Sequence, residues 1–215
     1  MTYVTIVRVG ADAAPTAAEA DPTSWAERAD REGRREGHRL ADADAATTVR
    51  VRDGRTLVTD GPFAEYKELV GGFDVLDVDD LDHALDLAAA HPVARFGAIE
   101  VREVVATAGV EGTAPLAATD AGSGHYLLLL AEQPGAPQTS DGSVELGFAP
   151  TADARTVRVR DGHTEVVTGP YAGTPDQIGG VALVVATDLD AAIEAAAAHP
   201  AARVGAVEVR PFWQP

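Results

Sequence analysis

The feature that most constrains the fold is an internal repeat. Residues 49–72, VRVRDGRTLVTDGPFAEYKELVGG, return as residues 157–180, VRVRDGHTEVVTGPYAGTPDQIGG, at a constant offset of 108 positions. Between Thr48 and Arg102, 30 of the 55 residues are identical to their counterparts, far more than shared composition would produce. Such self-similarity marks a duplication, so the chain is predicted to contain two copies of one module.

Four short motifs follow one another in the first copy. They are VTDGPFAE at 58–65, Lys67-Glu68, GGF at 71–73 and IEVR at 99–102. Together they resemble the YCII-related family, and specifically its DGPF subgroup. The resemblance implies α+β modules of the ferredoxin-like βαββαβ type that pair into a dimeric α+β barrel. In a duplicated chain, it implies that the two modules form this barrel as an intrachain pseudo-dimer.

Domain boundaries follow from the repeat and from composition. The first module is predicted over residues 1–104 and the second over residues 124–215, with the small, polar residues 105–123 as a linker. The second copy is about 15 residues shorter before its hairpin, so it is predicted to lack most of the first helix. The linker, the segment from Glu132 to Asp153, or Phe212-Trp213 is then expected to cover the exposed part of the sheet, and Trp213 is expected to be mostly buried. A monomeric pseudo-dimer is expected, and a further homodimer is compatible with it.

Composition narrows the class of protein. The formal charge of −17 repels phosphate backbones, so direct nucleic-acid binding is not expected. Cysteine is absent, which excludes disulfides, thiolate zinc sites and cysteine nucleophiles. The sequence has no signal-peptide pattern, and no apolar run approaches the roughly 18 residues of a membrane helix. These features predict a cytoplasmic protein that does not engage a membrane.

The first half of the module has clear local signals. A β-branched run from Tyr3 to Val9 predicts a buried strand. Ser24 and Glu27 fit a capping box, which predicts a helix from there to about Glu36 that ends at Gly37. Helical spacing places Trp25 and Ala29 on the inward side of this helix.

The second half predicts a hairpin, a corner, a strand, a helix and a last strand. Residues 47–52 and 56–59 alternate around Asp53-Gly54, which suits a tight turn. Asp60-Gly61-Pro62-Phe63 then forms a sharp corner, in which the Asp60 carboxylate is expected to make an Asx-turn. A strand at 72–78 leads to a helix that begins after Asp79 or Asp80 and ends at His91-Pro92. Residues 98–104 form the last strand.

Chemical motifs are scarce. The six histidines show no metal-ligand spacing, and nucleotide-binding loops, dinucleotide fingerprints and hydrolase elbows are absent, so no metal or cofactor is predicted. His91 and His199 each end a predicted helix, where the helix dipole stabilises imidazolium, so a capping or packing role is expected for them. Some enzymes of the wider family are thought to use a His–Asp pair with the histidine near the end of the first strand. Residues 8–12 contain no histidine.

Asp60 is the candidate catalytic residue. It either only holds the corner, or acts as a general base or ligand contact in a partly apolar cavity. The candidate ligand-binding residues are Asp60, Phe63, Glu65, Lys67, Arg50 and Arg52. The two arginines are equally compatible with cross-strand ion pairs involving Glu100 and Arg102.

The second copy keeps Gly169-Pro170 but has Thr168 in place of Asp60, Gly173 in place of Glu65 and Pro175 in place of Lys67. Any working site is therefore predicted to be asymmetric and to lie in the first half. Two classes of function are open. One is a small-molecule-binding or accessory protein of a stress or sigma-factor-associated system, as the family resemblance implies. The other is a cofactor-independent isomerase, lyase or oxygenase that uses a cavity carboxylate for proton transfer.

Overall fold

A computed structural model of the 215-residue chain describes residues 1–10, 13, 15–63, 68–108, 124–132, 144–171 and 177–214. The described strands are β1 Thr2–Gly10, β2 Arg34–Arg39, β3 Thr47–Arg52, β4 Arg55–Asp60, β5 Glu68–Asp77, β6 Ala98–Ala108, β7 Gly124–Ala131, β8 Val144–Phe148, β9 Arg155–Arg160, β10 His163–Thr168, β11 Ile178–Ala186 and β12 Val207–Pro211. The α-helices are α1 Ala17–Ala20, α2 Thr23–Arg31, α3 Leu81–Ala90, α4 Leu189–Ala198 and α5 Ala201–Val204. None of the helices in these ranges is long and apolar enough to cross a membrane.

The chain divides into two compact units. Unit 1 contains an antiparallel sheet in the order β2-β5-β1-β6-β9-β10, together with α1, α2 and α3. Unit 2 contains an antiparallel sheet in the order β8-β11-β7-β12-β3-β4, together with α4 and α5. The two orders match strand for strand across the repeat. Mixed α and β structure is confirmed, and the strands dominate it.

The two repeats exchange their hairpins. The first repeat's hairpin, β3–β4, belongs to unit 2, where Val49 lies opposite Val207 of β12. The second repeat's hairpin, β9–β10, belongs to unit 1, where Val157 lies opposite Ile99 of β6. Each hairpin closes through an Asp-Gly turn whose aspartate has a φ of 51°, as the sequence predicts. Each unit is therefore built from segments of both repeats.

In unit 1, α2 and α3 pack on one face of the sheet. The buried cluster between them contains Trp25 and Ala29 of α2, Leu87 of α3, and strand residues such as Tyr3 and Val157. The indole Nε1–H of Trp25 donates to the Leu87 carbonyl at 2.9 Å, so the large ring is buried without an unsatisfied donor. The inward orientation predicted for Trp25 and Ala29 is confirmed.

In unit 2, α4 and α5 pack on the corresponding face. Their side of the core consists mainly of alanine, with Ala192 and Ala196 of α4 and Ala202 of α5 fully buried against Leu128 and Val207. Small side chains let a helix approach a sheet closely, although each contributes less buried apolar surface than a leucine. The helices of unit 2 therefore contribute smaller side chains to the core than the helices of unit 1 do.

The predicted first helix needs correction. The capping box lies at Thr16 and Glu19, ahead of α1, rather than at Ser24 and Glu27. Helix α2 ends at Arg31, and the following residues form β2 instead of continuing to Glu36. Gly33 causes the change: it has a φ of +114°, and a Cβ there would lie 2.2 Å from the Asp77 carbonyl oxygen. The strand after it pairs with β5.

Other predictions have mixed outcomes. Helix α3 begins after its Asp80 N-cap and ends at His91, as predicted. Residues 105–108 extend β6 rather than beginning a linker, and residues 109–123 lie outside the described part of the chain. Residues 133–143, where the second repeat was predicted to lack a helix, also lie outside it. Trp213 is 44% exposed, so the prediction that it is mostly buried is wrong.

Candidate functional site

The polar residues of interest lie on the face of the unit 1 sheet that is turned away from α2 and α3, called here the helix-free face. Strand register places His38, Phe73, Ile6, Glu100 and Thr156 in one row across five strands. Side chains alternate along a strand, and the neighbours of this row, such as Val7 and Ile99, pack on the helix side. Ile6 and Phe73 therefore form an apolar floor between Glu100 and His38.

Glu100 is the centre of a buried ion cluster. Its Oε2 accepts from Arg8 Nη2 at 2.9 Å, and its Oε1 accepts from Arg102 Nη1 at 3.1 Å. The backbone amide of Tyr171, at the Gly-Pro corner after β10, also donates to Oε2, at 3.4 Å. All three charged side chains are at most 2% exposed. Among the described residues, the cluster brings two guanidinium groups to one carboxylate.

Burial by itself would raise the pKa of Glu100, but the guanidinium groups of Arg8 and Arg102 outweigh that effect and hold the pKa below its ordinary value. Glu100 is therefore a carboxylate at neutral pH and a weak base. Arg102 is fixed further, because its Nη2 donates to the Ala149 carbonyl at 3.0 Å and to Thr151 Oγ1 at 3.1 Å. The cluster presents fixed charge rather than a mobile proton.

A second polar pair lies at the outer edge of the same face. His38 Nε2 is 2.8 Å from Glu36 Oε1, and both residues are on β2. Their side chains are 32% and 18% exposed, so unlike the Glu100 cluster they reach solvent. The imidazole ring lies 5.8 Å from the ring of Phe73. This pair combines a titratable imidazole with a carboxylate beside the apolar floor.

The corresponding face of unit 2 has lost most of these groups. By strand register, the position of Arg8 in unit 1 corresponds to Ala131 in unit 2, and that of His38 corresponds to Leu146. By the repeat offset, Thr151 corresponds to Ala43. The position of Glu36 is taken by Val144. Three ionisable residues and one hydroxyl in unit 1 thus correspond to apolar residues in unit 2.

One part of the cluster is shared by both units. In unit 2, Glu208 accepts from Arg210 Nη1 at 3.1 Å and from the Phe63 amide at 3.2 Å. The same roles belong to Glu100, Arg102 and Tyr171 in unit 1. The Gly-Pro corner therefore positions a backbone donor on a buried glutamate in each unit, with or without an aspartate in front of it.

The described sequence-predicted candidates, Asp60, Phe63, Arg50 and Arg52, belong to unit 2. Asp60 is exposed at the end of β4, opposite Thr47, and among the described residues its carboxylate makes no hydrogen bond, so the predicted Asx-turn is not formed. Phe63 is 8% exposed and contributes the amide to Glu208. Glu65 and Lys67 lie outside the described residues. The structure does not bring Asp60 together with the Glu100 cluster in one unit.

Arg52 has a structural role. Its guanidinium donates to the Ala202 carbonyl at 2.9 Å and the Gly205 carbonyl at 2.8 Å, which are acceptors at the end of α5. Arg160 makes the same bonds in unit 1, to the carbonyls of Ala94 and Gly97. A guanidinium satisfies several free carbonyls at once, which explains why both repeats use arginine here.

Arg50 is half-buried on β3, opposite Leu57. The predicted ion pairs of Arg50 and Arg52 with Glu100 and Arg102 are wrong, because Glu100 pairs with Arg8 and Arg102 within unit 1. The alternating pattern did predict which residues share a strand face. It could not predict the exchange of hairpins.

His91 has the capping and packing role expected from the sequence, but as a neutral ring rather than an imidazolium. Burial lowers the pKa of His91 to about 4, although the nearby Asp74 carboxylate opposes that effect. Its Nδ1 accepts from the Val93 amide at 3.1 Å, and its ring meets that of Trp25 edge-on with centroids 4.3 Å apart. His91 is therefore a neutral packing residue that caps the following 3-10 turn.

Arg8 and His38 lie in the part of the repeat where the gap-free alignment does not extend. A strand-by-strand comparison of the first 40 residues with residues 124–148 could have found them. It sets Arg8 and His38, which are ionisable, against apolar residues of the second repeat. Among the described residues, no group of three or more His, Asp and Glu side chains could hold a metal ion.

The fold and the site together define a sheet-rich α and β protein, built from a duplicated domain, with a polar cluster in one of its two units. The chain belongs to the YCII-related family, since the YCII-related domain matches residues 1–108 and again residues 114–214. An uncharacterized protein of Rhizobium meliloti (strain 1021) is 52% identical over 50 residues. That match covers 23% of this chain and 40% of the relative, so it spans less than half of the relative's length.

Proposed function

We propose that this YCII-related protein, as a member of the DGPF subgroup, binds a small molecule on the helix-free face of unit 1. The observation that carries the proposal is the difference between the units: Arg8, Glu36, His38 and Thr151 correspond to apolar residues in unit 2. Shared residues such as Glu208 and Arg210 account for the common fold. The residues found in unit 1 alone are then available for recognition.

We further propose the ferredoxin-like pseudo-dimeric barrel that the family resemblance implies. Within unit 1, β2-β5-β1-β6 with α2 and α3 is an antiparallel βαββαβ arrangement, to which the exchanged hairpin adds two strands. Residues of the helix-free face, such as Val4, Ile6 and Phe73, are at most 1% exposed although the helices lie on the other side. A face buried in this way is expected in a barrel interior.

The chemistry favours binding over turnover. Glu100 is held as a carboxylate by two guanidinium groups, so it is poorly suited to accept a proton near neutral pH. The arginine-containing cluster beside an apolar floor suits an organic molecule that has an apolar body and a strongly polar end. The protein would then act as an accessory component of a stress or sigma-factor-associated system, the role that the family resemblance implies.

A cofactor-independent enzyme is the second candidate, and one observation favours it. The His38–Glu36 pair is solvent-accessible, and a carboxylate bonded to an imidazole orients the ring for proton transfer. In this alternative His38 is the base and the apolar floor holds the substrate. A product that accumulates catalytically, and is lost in His38→Leu, would favour the enzyme.

The experiment is a metabolite screen by thermal shift, followed by calorimetry on each hit. His38→Leu and Arg8→Ala each install the residue found in unit 2, so both are expected to weaken binding at least about tenfold. His83→Leu, which makes the same histidine replacement on α3, is the control and should bind like the wild type. Hits that bind both site variants with wild-type affinity would contradict the proposed site.

A further inference from the structure

A buried carboxylate on the helix side of unit 2 is not explained by the proposed function. Glu145 of β8 is 1% exposed and lies opposite Ala182, a residue of the helix-packed core. Its Oε2 is 3.3 Å from Nε2 of His199. Its Oε1 is buried, and among the described residues it has no hydrogen-bond partner. A buried carboxylate oxygen without a donor is unfavourable.

The histidine does not balance this charge. Nδ1 of His199 accepts a hydrogen bond from the Ala201 amide at 3.1 Å, so that nitrogen carries no proton in this arrangement. The proton is then on Nε2, which donates to Glu145, and the ring is neutral. An ionised Glu145 therefore holds a buried negative charge that no described cation neutralises.

Unit 1 shows how the same position is completed. In unit 1, Gly37 of β2 stands at the position that Glu145 of β8 has in unit 2. The residue opposite it on β5 is Asp74, whereas the residue opposite Glu145 on β11 is Ala182. In unit 1 the carboxylate therefore comes from the neighbouring strand. A Cβ on Gly37 would lie 1.9 Å from Asp74 Oδ1, so the Asp74 carboxylate occupies the space above that position. Both of its oxygens are satisfied, by Arg34 Nε at 2.7 Å and Thr5 Oγ1 at 3.2 Å.

Unit 2 has substitutions where unit 1 has these partners. Leu128 takes the place of Thr5, which removes the hydroxyl donor. Ala195 takes the place of Leu87, and it is half-buried where Leu87 is fully buried. Among the described residues of unit 2, none takes the place of Arg34. Unit 2 therefore has a buried carboxylate on this face without described counterparts of the arginine and the hydroxyl that complete Asp74 in unit 1.

We propose that unit 2 binds a small organic cation with N–H donors, such as an amine, amidine or guanidine, at Oε1 of Glu145. The ligand takes the part that Arg34 takes at Asp74 in unit 1. An N–H donor satisfies the buried oxygen, and its positive charge neutralises the carboxylate. The formal charge of −17 attracts cations toward the protein. This site is separate from the helix-free face and does not depend on the proposed function.

Benzamidine and benzamide form a matched pair of probes. They have nearly the same shape, but benzamidine presents a planar cation with two N–H groups aligned for a carboxylate. Calorimetry is expected to show one benzamidine site per chain and at least about tenfold weaker binding of benzamide. Glu145→Gln should lose the preference, whereas Glu194→Gln, the same change at an exposed site on α4, should keep it.

A measurement on the unmodified protein covers the case in which Glu145→Gln does not fold. Nuclear Overhauser effects are expected between the benzamidine ring protons and the His199 ring. Equal binding of the two probes, benzamidine binding that survives in folded Glu145→Gln, or contacts only with residues remote from His199 would each overturn the proposal. So would a high-resolution structure at saturating benzamidine in which Oε1 is bonded only to an ordered water.

Discussion

Units 1 and 2 have the same strand order and differ in where they place charge. Unit 1 has a buried cluster of Glu100 with two arginines, and a carboxylate, Asp74, that an arginine completes. In the described part of unit 2, Arg210 lies beside Glu208, and one oxygen of Glu145 has no donor. The backbone arrangement therefore tolerates several sets of polar residues. The features shared by both units identify what the fold requires, and the differences identify where a ligand is to be sought.

The largest expected effect comes from removing the central carboxylate of each unit. Glu100→Gln removes the carboxylate charge to which two buried guanidinium groups donate, which is expected to lower the free energy of unfolding by about 3–5 kcal/mol. Glu208→Gln is expected to cost less, because the described ion pairs include one at Glu208, with Arg210, and two at Glu100. Urea unfolding of both variants measures the difference. Equal losses would show that the second arginine adds nothing.

The next effect concerns pH. His91 has a pKa of about 4 when folded and an ordinary value of 6.5, so the unfolded chain binds a proton that the folded chain does not. The contribution of His91 to the free energy of unfolding is fully present above about pH 6.5, decreases as the pH falls, and levels off below about pH 4. The total loss from this group is about 3 kcal/mol. Urea unfolding across that range should be flatter in His91→Gln. An unchanged slope would remove His91 as the cause.

Acid affects Glu100 in a lower range. Its folded pKa lies below the ordinary value of 4.5, so its stabilising contribution is present above about pH 4.5 and is lost as the pH falls further. The two groups of unit 1 therefore lose stability in successive pH ranges. In the Glu100→Gln variant, the loss caused by His91 between about pH 6.5 and pH 4 should remain, and the loss below about pH 4.5 should be smaller than in the wild type.

A smaller effect tests the similarity of the units. Arg52→Ala and Arg160→Ala each remove hydrogen bonds to the carbonyls at the end of a short helical segment, so each is expected to cost about 1–2 kcal/mol. The two losses should be nearly equal and should add in the double variant. Clearly unequal melting temperatures of the two variants would show that Arg52 and Arg160 do not stabilise their units equally.

The smallest effect is expected at Asp60. Its side chain is exposed at the end of β4, so Asp60→Asn should change the free energy of unfolding by less than about 0.5 kcal/mol. The sequence hypothesis that Asp60 and Lys67 contact a ligand remains a prediction. Binding should weaken in Asp60→Asn or Lys67→Ala and stay unaltered in Thr168→Ala. A large stability loss in Asp60→Asn with binding intact would make Asp60 a purely structural residue.

The sequence predicted the elements better than their partners. The Asp80 cap, the Asp53-Gly54 turn and the inward Trp25 follow from interactions within a few residues, and the structure confirms them. β2 was missed because Arg34 to Arg39 is rich in charge and resembles an exposed helix face, while the break at Gly33 depends on a distant carbonyl at Asp77. Local patterns do not contain that information.

The site was harder to predict for the same reason. Glu100 was noted, but its partner Arg8 is 92 residues away in sequence, and the row from His38 to Glu100 exists only once four strands are in register. Asp60 lies in a motif that the sequence shows directly. Arg8 and His38 stand in no motif, and the structure alone brings them to one face.

The exchange of hairpins has a consequence for how the chain is made. During synthesis, β3–β4 emerges from the ribosome long before β12, so the first hairpin must remain unpaired until its partner strand near the C-terminus is complete. Contacts so distant in sequence slow folding and lengthen the time in which strand edges are exposed. A gene cut between the repeats would give two fragments that each lack the hairpin of their own sheet. Expressed together, these fragments should reassemble into a working two-piece protein, whereas each alone should pair with a second copy of itself.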